Sequence, residues 1–284
     1  MYDIAVIGAG PAGVSAVINA MALNKSCLWI SGAQKSDKVM RAELIKNYPA
    51  IPSITGEDFA NALYDHAIGM GATLTEGVAT AVYNMETHFI IAVKEQTYDA
   101  KCVILALGVA TKKPLENEED FVGRGVSYCA TCDGFLYKNK DIAVLITDKK
   151  YEHEVEFLSG VANKVYLLAT YNDCSVSGEN ITRVNSIPVG VKGRMRLEQV
   201  VLKDGEIAVD GLFVLRDSVS PKTLLSGLEI KDGKIVVDRD MKTSVKGVFA
   251  CGDCTGAPYQ YAKAVGEGNV ALHSAIKYLA TAKD

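Results

Sequence analysis

The feature that most constrains the fold is a glycine-rich turn near the start of the chain. A short apolar segment, Tyr2–Ile7, leads into Gly8-Ala9-Gly10-Pro11-Ala12-Gly13, and a segment with helical apolar periodicity follows. Glycines at this spacing close a tight strand-to-helix turn, let the backbone approach a pyrophosphate, and let helix and strand pack closely. The motif predicts a βαβ unit that holds a dinucleotide pyrophosphate at a helix N-terminus.

A second strand-turn-helix pattern begins at Asp141. An apolar strand over 142–146, an amphipathic helix and a return strand over 165–168 repeat the first arrangement. This alternation predicts an α/β protein with two Rossmann-like, three-layer ββα domains, the second inserted into the first. We expect the crossover at 112–114 and the return near 236. The predicted domains are therefore 1–111 with 236–284, and 112–235.

Composition excludes several classes of protein. The formal net charge of −4 argues against a general nucleic-acid binder. No apolar run reaches the roughly 20 residues that a membrane span needs, and the N-terminus carries no signal-peptide pattern, so we expect a cytoplasmic protein without membrane contact. Seven irregularly spaced cysteines do not fit a secreted disulfide framework.

One cysteine pair has the spacing of a redox site. Cys129-Ala130-Thr131-Cys132 is followed directly by Asp133, and a CxxC motif lowers a thiol pKa so that the reactive thiolate forms. Structural zinc is the alternative, but such a site needs further ligands, and Cys251-x-x-Cys254 is the only other pair. We predict no metal. We favour packing roles for Cys251 and Cys254, with a second redox pair as the alternative.

Two segments bear on how the first nucleotide would be held. The second strand ends at Ser31, where a carboxylate usually binds ribose hydroxyls; a serine makes a weaker hydrogen bond. Near the C-terminus, Cys251-Gly252-Asp253 follows a buried strand. Such a turn can offer a backbone amide and a carboxylate to a ribityl or phosphate group.

The region around the cysteine pair resembles a known active site. The segment 123–135, Gly-Arg-Gly-Val-Ser-Tyr-Cys-Ala-Thr-Cys-Asp-Gly-Phe, is similar to that of the low-molecular-weight thioredoxin reductases. Other signatures of the family occur in the same order and at the same spacing: Asn47-Tyr48-Pro49, Ala106-Leu107-Gly108, 247–253, and Gln260 with 264–268. The resemblance covers nearly the whole chain. It implies FAD in the discontinuous domain and the CxxC in the inserted one.

The resemblance also implies roles for individual residues. Cys132 would face the flavin, Cys129 would attack the substrate disulfide, and Asp133 would supply or relay a proton. Thioredoxin is the implied acceptor, and a homodimer is the implied assembly. The residues expected to bind the cofactor are Gly8, Gly10, Pro11, Ala12, Gly13, Ser31, Asn47, Ala106, Gly108, Gly252, Asp253, Gln260, Tyr261 and Ala262.

The second turn departs from the family pattern. Where the family has Gly-x-Gly-x-x-Ala for NADPH, this chain has Ile146, Thr147, Asp148 and Tyr151. These side chains block close backbone approach, and Asp148 repels phosphates. The family's 2′-phosphate-binding His-Arg-Arg cluster falls on Ala169-Thr170-Tyr171, which has no cation. The resemblance is therefore to the NADPH-independent branch, the ferredoxin-dependent flavin thioredoxin reductases.

Ferredoxin is the predicted electron donor. Ferredoxins are generally acidic, so docking predicts a basic patch. Two lysine-rich clusters are candidates: Lys138, Lys140, Lys149 and Lys150, or Lys35, Lys38 and Arg41. Two other functions remain as alternatives. One is a flavin-dependent dithiol oxidase that uses O₂, and the other is a flavin-bearing redox sensor.

Overall fold

The chain divides into two compact units. A computed structural model describes residues 1–32, 34–40, 42–108, 115–216 and 220–281, without the side chains of Asp37 and Cys132. Unit 1 consists of Met1–Thr111 and Leu224–Asp284, and unit 2 is Lys112–Thr223. The predicted crossover at 112–114 lies outside the described residues.

The second boundary differs from the sequence-based one at 235. Residues from Leu224 onwards group with unit 1, and two hydrogen bonds belong to this grouping: the Glu229 N–H donates to Ser244 Oγ at 2.8 Å, and Lys234 Nζ donates to the Asp253 carbonyl oxygen at 3.4 Å. The short hairpin that ends at Ile235 therefore belongs to the first unit. Because the hairpin is short and rich in turn residues, its sequence has the pattern of a linker between domains.

The elements follow the predicted alternation of strands and helices. The strands are β1 Tyr2–Ile7, β2 Cys27–Ser31, β3 Leu74–Glu76, β4 Ala79–Asn84, β5 Phe89–Val93, β6 Gln96–Leu105, β7 Val126–Ser127, β8 Asp141–Ile146, β9 Lys164–Ala169, β10 Ile181–Arg183, β11 Pro188–Gly193, β12 Leu197–Leu202, β13 Gly205–Ala208, β14 Gly211–Leu215, β15 Ile230–Lys231, β16 Lys234–Ile235 and β17 Val248–Ala250. The helices are α1 Pro11–Ala22, α2 Asp37–Met40, α3 Gly56–Gly69, α4 Ala130–Asp133, α5 Glu152–Ser159, α6 Pro221–Leu224 and α7 Tyr261–Thr281. Short 3₁₀ turns cover Glu118–Phe121, Gly134–Tyr137, Lys149–Tyr151 and Gly252–Thr255. Among the described helices, none combines the length and apolarity needed to cross a bilayer.

In unit 1, strand β6 joins two sheet regions. It pairs in parallel with β1 and β17, and in antiparallel fashion with β5, which continues to β4. The parallel region extends through β2 to β3, and α1 and α7 pack together over the core. Because β1, β6 and β17 are parallel, their carboxyl ends meet at one edge. That edge carries Gly8, Ala106 and Cys251.

In unit 2, a parallel sheet has the order β10-β9-β8-β14-β7, and β11, β12 and β13 form a separate antiparallel sheet. Two apolar clusters are built on the parallel sheet. One contains Tyr151, Val155 and Leu158, and the other contains Leu197 and Val200. Burial on both faces explains the continuous apolar runs in β8 and β14.

Candidate active site

Two glycines of the first turn are required by the packing of the backbone. Gly8 has a φ of +127°, and a Cβ built there would lie 2.2 Å from the Ala106 carbonyl oxygen. A Cβ on Gly13 would lie 2.1 Å from the Gly8 carbonyl oxygen. Both distances are far below contact, so no other residue fits without moving the strand or the helix.

The middle glycine has a different role. Nothing lies within 4 Å of a Cβ built on Gly10, which is the N-cap residue of α1. No side chain caps this helix, Pro11 occupies its first turn, and the first turn contains no acidic residue. The uncapped N–H groups and the helix dipole therefore face open space that suits an anion. This cradle fits a dinucleotide pyrophosphate.

A tryptophan side chain on the neighbouring strand is hydrogen-bonded to the turn. Trp29, fully buried in β2, donates from Nε1 to the Gly8 carbonyl oxygen at 3.1 Å. Two residues later, half-buried Ser31 ends β2, and its carbonyl oxygen accepts the Gly77 N–H at 2.9 Å. Ser31 thus lies at the predicted position at the end of the second strand.

The second glycine turn, Gly252–Thr255, is fixed by α7. Gly252 has a φ of +82°, and a Cβ there would lie 2.8 Å from the Ala12 Cβ. Its N–H donates to Glu267 Oε2 at 2.8 Å, and Lys263 Nζ donates to its carbonyl oxygen at 3.1 Å. The expected free amide at Gly252 is thus already bonded within the chain. Sequence reasoning missed Lys263 and Glu267, because a charged pair on a helix gives no signal of its target.

Asp253 projects from the same turn next to a cation. Lys38 Nζ lies 2.5 Å from Asp253 Oδ2, and Lys38 is also 5.4 Å from the centroid of the Tyr259 ring. Lys234 approaches that ring at 5.0 Å. Two ammonium groups therefore flank an exposed tyrosine beside the only carboxylate of the turn.

The structure brings together two predicted site residues from distant parts of the chain. Asn47 Nδ2 donates to Gln260 Oε1 at 2.7 Å, although 213 positions separate them. Tyr261 follows at the start of α7 and packs on Phe59 with ring centroids 5.5 Å apart. Ala262 is exposed in the first turn of that helix. These contacts place the Asn47 loop beside the N-terminus of α7.

The cysteine segment in unit 2 is organised by a serine. Cys129 is disulfide-bonded and only 9% exposed. The Ser127 hydroxyl accepts the Cys129 N–H at 3.1 Å and lies 2.7 Å from Asp133 Oδ2. The side chain of Cys132 lies outside the described part. Sequence reasoning missed Ser127; a hydroxyl residue two positions before the first cysteine was the available signal.

A buried ion pair lies next to this segment. Arg216 pairs with Glu118, whose carboxylate is fully buried, and the Tyr128 hydroxyl donates to Glu118 Oε1 at 2.7 Å. The Leu115 N–H donates to the other carboxylate oxygen at 2.9 Å. Burial and the neighbouring Glu118 charge raise the pKa of Tyr128, which therefore stays protonated. The network fixes the residue immediately before Cys129.

The second βα turn is filled by its own side chains. Asp148 Oδ1 accepts the Lys150 N–H at 3.0 Å and so caps the 3₁₀ turn before α5. Glu152, in the first turn of α5, accepts from the Tyr171 hydroxyl at 2.7 Å, from the Ser175 N–H at 3.1 Å and from the Ser175 hydroxyl at 2.6 Å. These bonds lower the pKa of Glu152 to about 2. A permanent anion thus stands near the end of the helix that a phosphate would approach.

The thiols of Cys251 and Cys254 are not activated. Cys251 and Cys254 are free and buried, and Cys254 Sγ lies 3.2 Å from the Cys251 carbonyl oxygen. Burial raises the pKa of Cys254 to about 11 and that of Cys251 well above its ordinary value. Both thiols are therefore protonated at neutral pH, as packing residues are.

Comparison with known proteins identifies the class. The chain belongs to the pyridine nucleotide-disulphide oxidoreductase family, whose model matches residues 2–147 and 176–268. The interval between these ranges contains Asp148, Glu152 and Tyr171, the residues that fill the second turn.

Individual relatives are more specific. The chain is 31% identical over 301 residues to the thioredoxin reductase of Treponema pallidum (strain Nichols), covering 99% of this chain and 98% of that protein. A ferredoxin-flavin thioredoxin reductase from Clostridium acetobutylicum superposes with a TM-score of 0.88 at 41% identity, covering 99% of this chain and 98% of that one. The atypical thioredoxin reductase TRi from Desulfovibrio vulgaris Hildenborough matches with a TM-score of 0.71 at 29% identity, covering 99% of each chain.

These findings confirm the predicted resemblance and the α/β fold with two Rossmann-like domains. The protein is a flavoprotein oxidoreductase of the thioredoxin reductase type that acts on a disulfide, and FAD is its cofactor. The open face of Gly10 and the uncapped α1 fit that cofactor in unit 1.

The predicted lysine clusters are only partly available for docking. Lys35 donates to Asn61 Oδ1 at 2.6 Å, and Lys38 pairs with Asp253. Lys140 lies over the Tyr137 ring at 5.8 Å, and Lys150 lies over the ring of Tyr151 at 5.4 Å. Arg41 lies outside the described residues.

Proposed function

We propose that this protein is an NADPH-independent thioredoxin reductase. Electrons from reduced ferredoxin pass through FAD to a disulfide between Cys129 and Cys132, and from there to the disulfide of thioredoxin. One observation carries the proposal: the first nucleotide turn is open at Gly10, whereas Asp148 and Glu152 fill the second. The similarity to the Clostridium acetobutylicum ferredoxin-flavin enzyme supports it.

The FAD contacts are assigned to the edge where β1, β6 and β17 end. We propose that Gly10 and the α1 N-terminus hold the pyrophosphate, that Ser31 meets a ribose, and that Asp253 meets the ribityl region. The other proposed FAD residues are Gly8, Pro11, Ala12, Gly13, Asn47, Ala106, Gly108, Gly252, Gln260, Tyr261 and Ala262. When bound, FAD would supply the chemistry that links one-electron transfer from an iron–sulfur protein to two-electron reduction of a disulfide.

Disulfide exchange is assigned to the cysteine segment. The Cys129 thiolate attacks one sulfur of the acceptor disulfide, so that a mixed disulfide forms and the other acceptor sulfur leaves as a thiolate. Cys132 then attacks Cys129 Sγ, releasing the reduced acceptor and restoring the internal disulfide. The two protons lost by the attacking thiols match the two gained by the acceptor. We propose Asp133 as their carrier.

Exposed apolar residues beside the cysteine motif support a protein acceptor. Phe135 and Leu136 follow Asp133-Gly134, and each is 68% exposed. Apolar side chains so exposed favour burial against a partner. Cys129 is only 9% exposed, so acceptor reduction requires this sulfur to become accessible during turnover.

We place the ferredoxin-docking surface on unit 1, beside the cofactor. Lys38 and Lys234 flank Tyr259 next to Asp253, and this tyrosine is 50% exposed. An acidic donor that docks there is attracted mainly by the Lys234 ammonium group, because Lys38 is paired with Asp253, and it lies close to the proposed flavin site.

The driving force allows this direction of transfer. Plant-type ferredoxins have potentials near about −400 mV, and thioredoxin lies near about −270 mV. The difference of roughly 130 mV corresponds to about 6 kcal/mol for two electrons.

Assembly and compartment complete the proposal. We propose a homodimer, following the family resemblance, and light scattering of the purified holoprotein tests it. We also propose a cytoplasmic location, because Cys27, Cys102, Cys174, Cys251 and Cys254 are free thiols, as a reducing compartment maintains. Fractionation of cells with an antibody tests this.

The central test is a pair of anaerobic flavin spectra. Reduced ferredoxin should bleach the flavin absorbance and NADPH should not, after which oxidised thioredoxin should restore it. Bleaching by NADPH at a rate that supports turnover contradicts the proposal. Rapid reoxidation by O₂ coupled to a specific small dithiol identifies the dithiol oxidase instead, and a flavin that is reduced but passes no electrons to thioredoxin or to a dithiol cycle identifies the sensor.

A cysteine variant tests the output end of the path. Cys129→Ser should abolish thioredoxin reduction while ferredoxin still bleaches the flavin, because only the attacking thiol is lost. Cys174→Ser is the matched control, since Cys174 is a free thiol of the same unit. Full thioredoxin reduction by Cys129→Ser would show that Cys129 is not the attacking residue.

A further inference from the structure

We infer that Ser127 is a positioning residue for disulfide exchange, because its hydroxyl holds Asp133 in both of its protonation states. The inference rests on the proposed exchange at Cys129 with Asp133 as proton carrier, and it adds a residue that the cysteine motif does not contain. Ser127 ends β7 and is 4% exposed, so water does not replace its bonds freely.

The serine hydroxyl has three polar neighbours. It lies 2.7 Å from Asp133 Oδ2, 3.2 Å from the Cys129 carbonyl oxygen and 3.1 Å from the Cys129 nitrogen. The Asp133 N–H in turn donates to the Cys129 carbonyl oxygen at 3.3 Å. Carboxylate, hydroxyl and the backbone of the reactive cysteine thus form one closed set of hydrogen bonds.

The hydroxyl can satisfy this set in two ways. It has one hydrogen and two lone pairs, and one lone pair accepts the Cys129 N–H in either case. When Asp133 is ionised, the hydrogen points to Oδ2. When Asp133 is protonated, its O–H donates to Ser127 Oγ, and the serine hydrogen turns to the Cys129 carbonyl oxygen. A proton can therefore be gained or lost at Asp133 without leaving any member of the set unpaired.

This matters because exchange moves two protons through the site. Each attacking thiol gives up a proton as its S–S bond forms, and each acceptor sulfur takes one as its bond breaks. A carboxyl that alternates between ionised and protonated forms loses a hydrogen bond in one of the two forms, unless the neighbouring hydroxyl can rotate to match it. An alanine at 127 removes that neighbour and also leaves the Cys129 N–H without its acceptor.

Other side chains near Asp133 do not take the place of the Ser127 hydroxyl. Burial raises the pKa of Tyr137, and the charges of Arg196, Asp133 and Asp210 also act on it. From α5, the side chains that approach Gly134 are apolar, Phe157 and Leu158. Among the described residues, Ser127 is the one whose side chain is hydrogen-bonded to the Asp133 carboxylate.

The test compares Ser127→Ala with Ser127→Thr in the holoenzyme. Each protein is reduced anaerobically with dithionite, freed of excess reductant and mixed with oxidised thioredoxin across the pH range in which it stays folded. We expect Ser127→Ala to slow exchange about tenfold, as loss of a hydrogen bond to a charged group does. Its pH profile should differ in shape from that of the wild type, because the hydroxyl that pairs with both forms of Asp133 is gone. Ser127→Thr keeps the hydroxyl and should retain the wild-type profile.

A double-mutant cycle with Asp133→Asn separates positioning from general loss of structure. In a protein that already carries Asp133→Asn, Ser127→Ala should change the rate by less than about twofold, because the carrier is already absent. Independent, multiplying effects of the two substitutions overturn the inference, as does an unchanged pH profile in Ser127→Ala. If Ser127→Ala does not fold, Ser127→Cys keeps the side-chain size with a weak hydrogen-bonding group and takes its place in the cycle.

A second readout does not depend on thioredoxin. The pH dependence of Cys129 alkylation in the dithionite-reduced proteins should shift in Ser127→Ala and not in Ser127→Thr. If the wild-type protein fails to reduce thioredoxin, the proposed acceptor is wrong, and the alkylation profiles still decide the role of Ser127.

Discussion

The two βα turns have the same architecture and opposite contents. In the first, between β1 and α1, Gly10 borders open space and no side chain caps the helix. In the second, between β8 and α5, Asp148 caps the 3₁₀ turn and Glu152 accepts three hydrogen bonds. The first turn has space and free N–H groups for an anion from solution. The second turn already contains two carboxylates of the chain itself.

This difference indicates that the fold of unit 2 does not depend on a nucleotide bound at the second turn. The segment after the second turn is fixed by packing, since Tyr151, Val155 and Leu158 are buried in the unit 2 core. Because this apolar contact supplies the stability of the helix, the glycines of the turn could be replaced without losing the unit. What remains is a domain that carries the cysteines and whose second turn holds the hydrogen-bonded carboxylates of Asp148 and Glu152.

The largest expected effect is at the open turn. Gly10→Asp should lower FAD affinity by at least about 100-fold, because a carboxylate then occupies the space for the pyrophosphate and repels it. The fold should survive, since nothing lies within 4 Å of the new Cβ and the backbone there has a φ of −79°. Fluorescence titration of the apoprotein with FAD measures the affinity, and circular dichroism checks the fold.

Gly69→Asp is the matched control for that variant. Gly69 also has nothing within 4 Å of an added Cβ, and it is exposed at the end of α3. Its FAD affinity should stay within a few-fold of the wild type. Equal affinities for wild type and Gly10→Asp would show that the pyrophosphate lies elsewhere.

An intermediate effect concerns which unit receives the electron donor. Lys234→Glu, beside the first site, should reduce the rate of flavin bleaching by ferredoxin about tenfold at low ionic strength, and less as salt rises. Lys149→Glu, beside the filled turn, should leave it unchanged. Stopped-flow traces at two salt concentrations measure both. The reverse result moves the docking surface to unit 2.

The sequence predicted the parts of this comparison that depend on local spacing. Each of these parts depends on residues only a few positions apart: the first glycine turn, the strand and helix after Asp141, and the absence of cations at 169–171. The hydrogen-bond partners of Glu152 cannot be predicted in this way, because Tyr171 and Ser175 come near it only after the chain returns through β9. Glu267 reaches Gly252 in the same non-local way. Polar contacts between elements depend on register and packing angle, which periodicity does not specify.

The smallest expected effect is a pH dependence that belongs to the filled turn. Hydrogen bonds from Ser175 and Tyr171 lower the pKa of Glu152 to about 2, against an ordinary value of 4.5. A depressed carboxyl pKa adds stability above its unfolded value, and that stability is lost as pH falls through the folded value. The melting temperature of the wild type should therefore fall more steeply between about pH 4.5 and about pH 2 than that of Glu152→Gln. Glu156→Gln, on the same helix and without a side-chain hydrogen bond among the described residues, should follow the wild type. Parallel curves for wild type and Glu152→Gln would mean that the anion in the second turn is not held by its neighbours, and that the contrast with the open turn rests on Asp148 alone.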